Sequence, residues 1–180
     1  RLKAKGAGLK FVEDYRTDQL IDDIALLTSG YKKIEGDFWQ QVGECETEQQ
    51  GRDTYHHVAK NTISDVFCNE YILDSSDHFA ARVKSYDDKQ ITLKDISVER
   101  LMSHTAWGVK PKNVYQGMAL DALLDPSIEL VILTGPAGCG KTLLALASAL
   151  EMIIEKGIYD KVIVTRNTPE IAESIGFLPG

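Results

Sequence analysis

Eight consecutive residues constrain this chain more than any other stretch: Gly135, Pro136, Ala137, Gly138, Cys139, Gly140, Lys141 and Thr142. They fit the pattern G-x-x-x-x-G-K-[ST]. A loop that wraps a phosphate must aim consecutive backbone N–H groups inward, in conformations that glycine adopts at little cost. The flanks agree with that use. Glu129 to Thr134 is an apolar, β-branched run of the kind that forms a buried parallel strand. Lys141 to Lys156 predicts a helix, with Leu143, Leu144, Ala147, Leu150 and Ile154 on one stripe and Ser148, Glu151 and Glu155 on the opposite one. Gly157 is its stop signal, and Lys161 to Thr165 predicts a second buried strand. Strand, helix and strand make one βαβ unit. With glycine at about 7% of residues, such a motif arises by chance about once in 200 chains of this size, and the strand-then-helix context lowers that further. The helix start adds free N–H groups and the positive end of its dipole. Lys141 is placed to reach the β- and γ-phosphates of a nucleotide, and the Thr142 hydroxyl to hold Mg²⁺.

Upstream, Trp107 to Lys112 reads as a connector, because Pro111 blocks a helix from running through it. Asn113 opens an amphipathic helix to about Leu124, and Pro126 follows its end. Gln116 on that helix has two competing readings. Its amide offers a donor and an acceptor, as an upstream glutamine does to adenine in helicase-like phosphate-loop enzymes. Asn113 and Gln116 also stand at capping-box spacing. Cys139, a free thiol at a helix start, is either an oxidisable group shielded by nucleotide or a small residue that fits the loop. Arg166 follows the second predicted strand at its carboxyl end, where open α/β sheets bind ligands. It is a candidate contact for phosphate or RNA, against a surface ion pair with Glu170 or Glu173.

Residues 36–103 alternate instead. Thr54–Ala59, Phe79–Tyr86 and Gln90–Lys94 have period two, and Asp87-Asp88 sits where a turn belongs. This predicts a small, mostly antiparallel β module. His56 and His57 face opposite ways on one strand and read as structural, since chemistry needs convergent groups. In residues 1–35, Leu20, Ile21, Ile24, Leu26 and Leu27 have near-helical spacing that Gly30 would stop. The net charge of −7 is concentrated in 36–103, with thirteen acidic groups against seven basic. That excludes the basic stripe of a stand-alone nucleic-acid binder. The 180 residues are 43% hydrophobic and 26% charged, an ordinary globular composition. Leu143 to Leu150, the longest nearly apolar run, is far short of the roughly 18–20 residues of a membrane span. No charged-then-apolar leader opens the chain. Cys45, Cys68 and Cys139 suit neither a metal site nor a disulfide framework, which predicts reduced thiols and a cytoplasmic location. His56, His57, His78 and His104 show no metal-binding spacing.

Lys110 to Gln116, Leu130 to Leu144, and Thr165-Arg166 through Gly176-Phe177-Leu178-Pro179-Gly180 together resemble the PhoH-like ATPase family. Cys68 to Leu73, and Leu2 to Gly6 through Asp14-Tyr15, look like the branch in which a PIN nuclease domain precedes the ATPase. The expected fold class is therefore α/β. Residues 1–35 would be the C-terminal tail of a PIN-like domain and 36–103 the β module. Residues 104–180 would begin the parallel sheet (βαβ) of a P-loop NTPase. The resemblance implies ATP and Mg²⁺ bound by Gly135 to Thr142, adenine at Gln116, and an early ATPase motif at Arg166. Two departures stand out: threonine is commoner where Cys139 stands, and proline commonly follows the arginine where Asn167 stands.

The expected activity of the parent protein is ATP hydrolysis coupled to RNA unwinding or remodelling. The Mg²⁺-holding carboxylate of such enzymes is expected beyond Gly180, and most of the PIN carboxylates before Arg1. Asp14, Asp22 and Asp23 are at best remnants of that cluster. The chain reads as an internal piece that by itself binds ATP weakly and does not turn it over. Three alternatives share the same motif: a PIN-type endoribonuclease regulated by the ATPase, a non-enzymatic nucleotide-binding switch, and a small-molecule kinase. Oligomeric state is open, with a homo-oligomer among the options.

Overall fold

The computed structural model describes residues 29–75 and 78–165. The expected helix before Gly30, Asp14, Asp22, Asp23, Arg166, Asn167 and the Gly176–Gly180 ending lie outside them.

Among the described residues, six strands form one sheet. They are β1 (Tyr31–Ile34), β2 (Cys45–Gln50), β3 (Asp53–Ala59), β4 (Tyr71–Asp74), β5 (Ala80–Tyr86) and β6 (Gln90–Asp95), in the order β1-β4-β5-β6-β3-β2. Every pairing is antiparallel except β1 with β4, which runs parallel with Tyr31 opposite Tyr71. Period two drives β3, β5 and β6 where it predicts them. The β5–β6 hairpin turns at Asp87, whose carboxylate accepts the N–H groups of Lys89 and Gln90. The ladder slips by one residue between Val83 and Ser85, a bulge that increases local twist. The sheet begins at Tyr31, ahead of the boundary expected at residue 36. That follows from β1 pairing with β4, 40 residues further on.

One face of the sheet carries an apolar core of Val58, Ile72, Ala81, Val83, Ile91 and Leu93. It is closed by Phe38 of the short helix α1 (Phe38–Gln41), whose ring stacks on Phe79 with centroids 4.0 Å apart. His56 is buried on this face, with Nδ1 3.0 Å from Thr47 Oγ1 and Nε2 3.2 Å from Asp95 Oδ2. His57 points the other way, to Thr92 and Glu48. Both histidines thus have structural partners.

The opposite face holds two further helices, α2 (Val98–Ser103) and α3 (Val114–Leu123). Ser97 caps α2 through Arg100 N–H, and Asn113 caps α3 through Gln116 N–H. Leu73, Ala80, Ile96, Leu101 and Met118 pack between helices and sheet. The two helices touch at Gly117, where a Cβ would stand 2.7 Å from the Leu101 carbonyl oxygen. Only glycine permits that approach.

The last described helix, α4 (Lys141–Leu150), continues through a π-helical turn at Glu151–Glu155, and Gly157 follows with φ +60°. It packs on α3 through Leu144 and Ala147 against Leu120. Ser148, expected on the solvent stripe, is buried, whereas Leu143 and Ile154, expected on the core stripe, are exposed. The face that meets α3 is the 144–147–148 line, so the packing partner selected the buried stripe.

Among the described residues, neither strand of the expected βαβ unit has a sheet partner. Glu129–Thr134 and Lys161–Thr165 carry no ladder, and Leu130, Ile132, Ile163 and Val164 are 68–77% exposed. A strand exists only through a hydrogen-bonded neighbour, and no described residue pairs with either run. The protein is mixed α/β, with its one described sheet formed by the β module.

Candidate functional site

The loop from Gly135 to Gly140 has the backbone its composition demands. Gly135, Gly138 and Gly140 all take positive φ, at +143°, +78° and +92°. A side chain at any of them would be strained. Gly140 is the N-cap of α4, and no side chain caps the helix. Its first-turn N–H groups are orphaned by helix geometry and face the loop end of the helix. The cradle and the uncapped helix start fit the phosphates of a nucleotide.

Lys141 brings the charge. Its ammonium donates to the carbonyls of Gly135 (2.8 Å) and Pro136 (2.7 Å) and lies 3.5 Å from Cys139 Sγ. The lysine thus lies across its own loop. A phosphate oxygen, being charged, is a stronger acceptor than either carbonyl. Thr142 is exposed in the first turn of α4, where its hydroxyl is free to approach a cation. Pro136 and Ala137 form the exposed tip of the loop. Among the described residues no group of three or more His, Cys, Asp or Glu side chains is placed to hold a metal.

Gln116 is tied to this loop. Its Nε2 donates to the Cys139 carbonyl at 3.1 Å, and its Oε1 accepts the Lys112 N–H at 2.7 Å. Asn113 caps the Gln116 backbone, so capping and loop-holding use different atoms of one residue. The side chain fastens helix α3 to the loop, a role that the motif spacing did not suggest.

The other end of α3 carries a polar cluster that sequence reading missed. Arg82, on β5, is buried between Asp121 and Asp125, with Nη1 3.3 Å from Asp121 Oδ2 and Nη2 donating to Asp125. The Tyr71 hydroxyl donates to Asp121 (2.7 Å) and reaches the Met118 carbonyl (3.1 Å). His104 Nε2 approaches Asp121 Oδ1 to 3.3 Å, close but poorly aimed for a hydrogen bond. Burial alone would raise the Asp121 and Asp125 carboxyls. His104, Tyr71 and Arg82 outweigh it at Asp121, and Ser127 and Arg82 outweigh it at Asp125. Both end below the usual range, Asp125 at about 2. Burial and the Asp121 charge push the Tyr71 phenol up. An arginine inside the apolar run Ala80-Ala81-Arg82-Val83 was the available signal, because a buried guanidinium requires partners.

A glycine cradle, an uncapped helix start and a lysine over the loop put the G-x-x-x-x-G-K-[ST] motif on a backbone suited to phosphate. In comparison with known sequences, residues 108–180 match the family described as PhoH-like protein. Protein PhoH2 of Bacillus subtilis (strain 168) is 34% identical over 187 residues, covering all of this chain and 39% of the relative. Protein PhoH2 of Thermobispora bispora is 29% identical over 184 residues, again covering all of this chain and 37% of the relative. Protein PhoH of Escherichia coli (strain K12) is 48% identical over 54 residues, 30% of this chain and 15% of the relative. The chain thus spans less than two fifths of the length of these curated relatives. No solved structure is significantly similar to it. No described helix is long and apolar enough to cross a membrane.

Proposed function

We propose that this chain is the nucleotide-binding part of an ATPase that acts on RNA. The observation that carries the reading is the loop itself: three positive-φ glycines leading into an uncapped helix, with Lys141 lying over them. Gly135 to Gly140 wrap the phosphates of ATP, Lys141 neutralises their charge, and the Thr142 hydroxyl is the protein's ligand for Mg²⁺. Bound Mg²⁺ supplies charge neutralisation at the phosphate oxygens. Gln116 holds the loop in register with α3. Both ends of its amide already have protein partners, which favours that role over reading the adenine edge.

RNA remodelling is proposed for the whole protein, with Arg166 as a contact residue and the cytoplasm as the compartment. The resemblance of residues 104–180 to PhoH-like ATPases supports RNA as the partner. The β module, with thirteen acidic groups against seven basic, carries no excess of positive charge for it. Titration of the chain with ATP and Mg²⁺ tests the nucleotide part. Saturable binding is expected, and Lys141→Ala should abolish it. Equal binding by the two proteins would overturn the reading.

A further inference from the structure

The phosphate loop opens into a cavity of about 710 Å³, within the roughly 300–1,000 Å³ typical of small-molecule sites. Pro136, Cys139 and Lys141 line it together with two tyrosines, Tyr31 and Tyr115. Tyr31 comes from β1, at the sheet edge. Tyr115 is the second residue of α3, next to the loop-holding Gln116. The two rings lie 5.0 Å apart between centroids and tilt by 53°. Tyr115 is 48% exposed, although the residues around it in the cavity, Met118 and Ala119 among them, are mostly apolar. A half-exposed aromatic ring in a mostly apolar cleft suits a flat, π-rich ligand.

What would lie there follows from continuity. A nucleoside triphosphate with its phosphates on Gly135–Thr142 has a sugar and base to place, and this cavity is lined by the same loop. Base-edge recognition is disfavoured at Gln116, whose amide is engaged with Lys112 and Cys139. Recognition by the face needs no free donor or acceptor, since every base has a π-face.

We propose that Tyr115, backed by Tyr31, is the base-stacking subsite of this nucleotide site, holding a purine by its face. The proposal rests on the phosphate-loop reading and adds where the base goes. Because stacking does not read the base edge, ATP and GTP bind with similar affinity.

The test compares ATP, GTP and inorganic tripolyphosphate, each with Mg²⁺, by calorimetry on the chain and on Tyr115→Leu and Tyr115→Phe. In the wild-type chain both nucleotides should bind more tightly than tripolyphosphate. Tyr115→Leu should weaken ATP and GTP about tenfold and leave tripolyphosphate unchanged, while Tyr115→Phe should retain wild-type affinity. Equal loss for all three ligands, or for none, would overturn the subsite. So would wild-type ATP and tripolyphosphate of equal affinity, a comparison that needs no folded variant. In that last case the phosphate-loop reading survives, whereas binding of neither ligand would sink both.

Discussion

At Gln116 a contact that neither spacing-based reading contained joins the cap at Asn113. The distance of Gln116 from Asn113 suggested capping, and its place upstream of the loop suggested adenine. In the structure its amide bridges the Lys112 N–H and the Cys139 carbonyl, so its loss frees the Gly135–Gly140 loop. Gln116→Ala should weaken ATP and GTP binding to the same extent, by about 1 kcal/mol or roughly fivefold, the net worth of a hydrogen bond. A selective loss of ATP affinity would restore the adenine-reading role. Asn113→Ala acts by another route, through the start of α3. It should cost about 1 kcal/mol of stability, the usual worth of an N-cap, seen as a lower melting temperature.

At the scale of elements, α3 is the connecting part. Its first turn holds the phosphate loop through Gln116. Its middle meets α2 at Gly117, and its last turn is pinned to β4 and β5 through Asp121. Gly117→Ala forces a methyl group against the Leu101 carbonyl, where backbone must move. Overpacking of this kind costs about 1–3 kcal/mol, and a denaturant midpoint shifted down with unchanged slope would show it. Arg82→Met leaves Asp121 and Asp125 without their guanidinium. Breaking one side of a buried pair costs about 3 kcal/mol or more, so chemical unfolding should report a large loss. A change under about 0.5 kcal/mol would show that Tyr71, His104 and Ser127 suffice for the two carboxylates.

For the molecule as a whole, acid is the sensitive direction. Asp121 and Asp125 are held below the usual carboxylate range, so in acid the unfolded chain binds protons that the folded one does not. Their contribution is fully present above the unfolded pKa near 4. It is lost as pH falls toward about 2, the folded value of Asp125. The melting temperature should therefore drop between about pH 5 and about pH 3, and more gently in Asp125→Asn, which removes one titrating group. Identical slopes in the two proteins would count against the linkage.

The phosphate loop was legible because its signal is local. Three glycines, a lysine and a threonine at fixed spacing specify a backbone path that needs nothing from the rest of the chain. The cap at Asn113, the stop at Gly157, the turn at Asp87 and strands β3, β5 and β6 were legible for the same reason. Strand β2, Cys45-Glu46-Thr47-Glu48-Gln49-Gln50, was not, because an exposed edge strand has no apolar face to alternate. Strand β4 was not, because burial on both faces removes period two. The Arg82 cluster joins residues 39–50 positions apart, so no window along the chain contains it. The amino-acid sequence by itself determined the loop, the cap, the stop and the turn, each set by the φ and ψ preferences of a few neighbours. Only the tertiary structure decided which stripe of α4 is buried, which apolar runs gain a ladder, and that Gln116 holds the loop. Those outcomes depend on surfaces that distant parts of the chain supply.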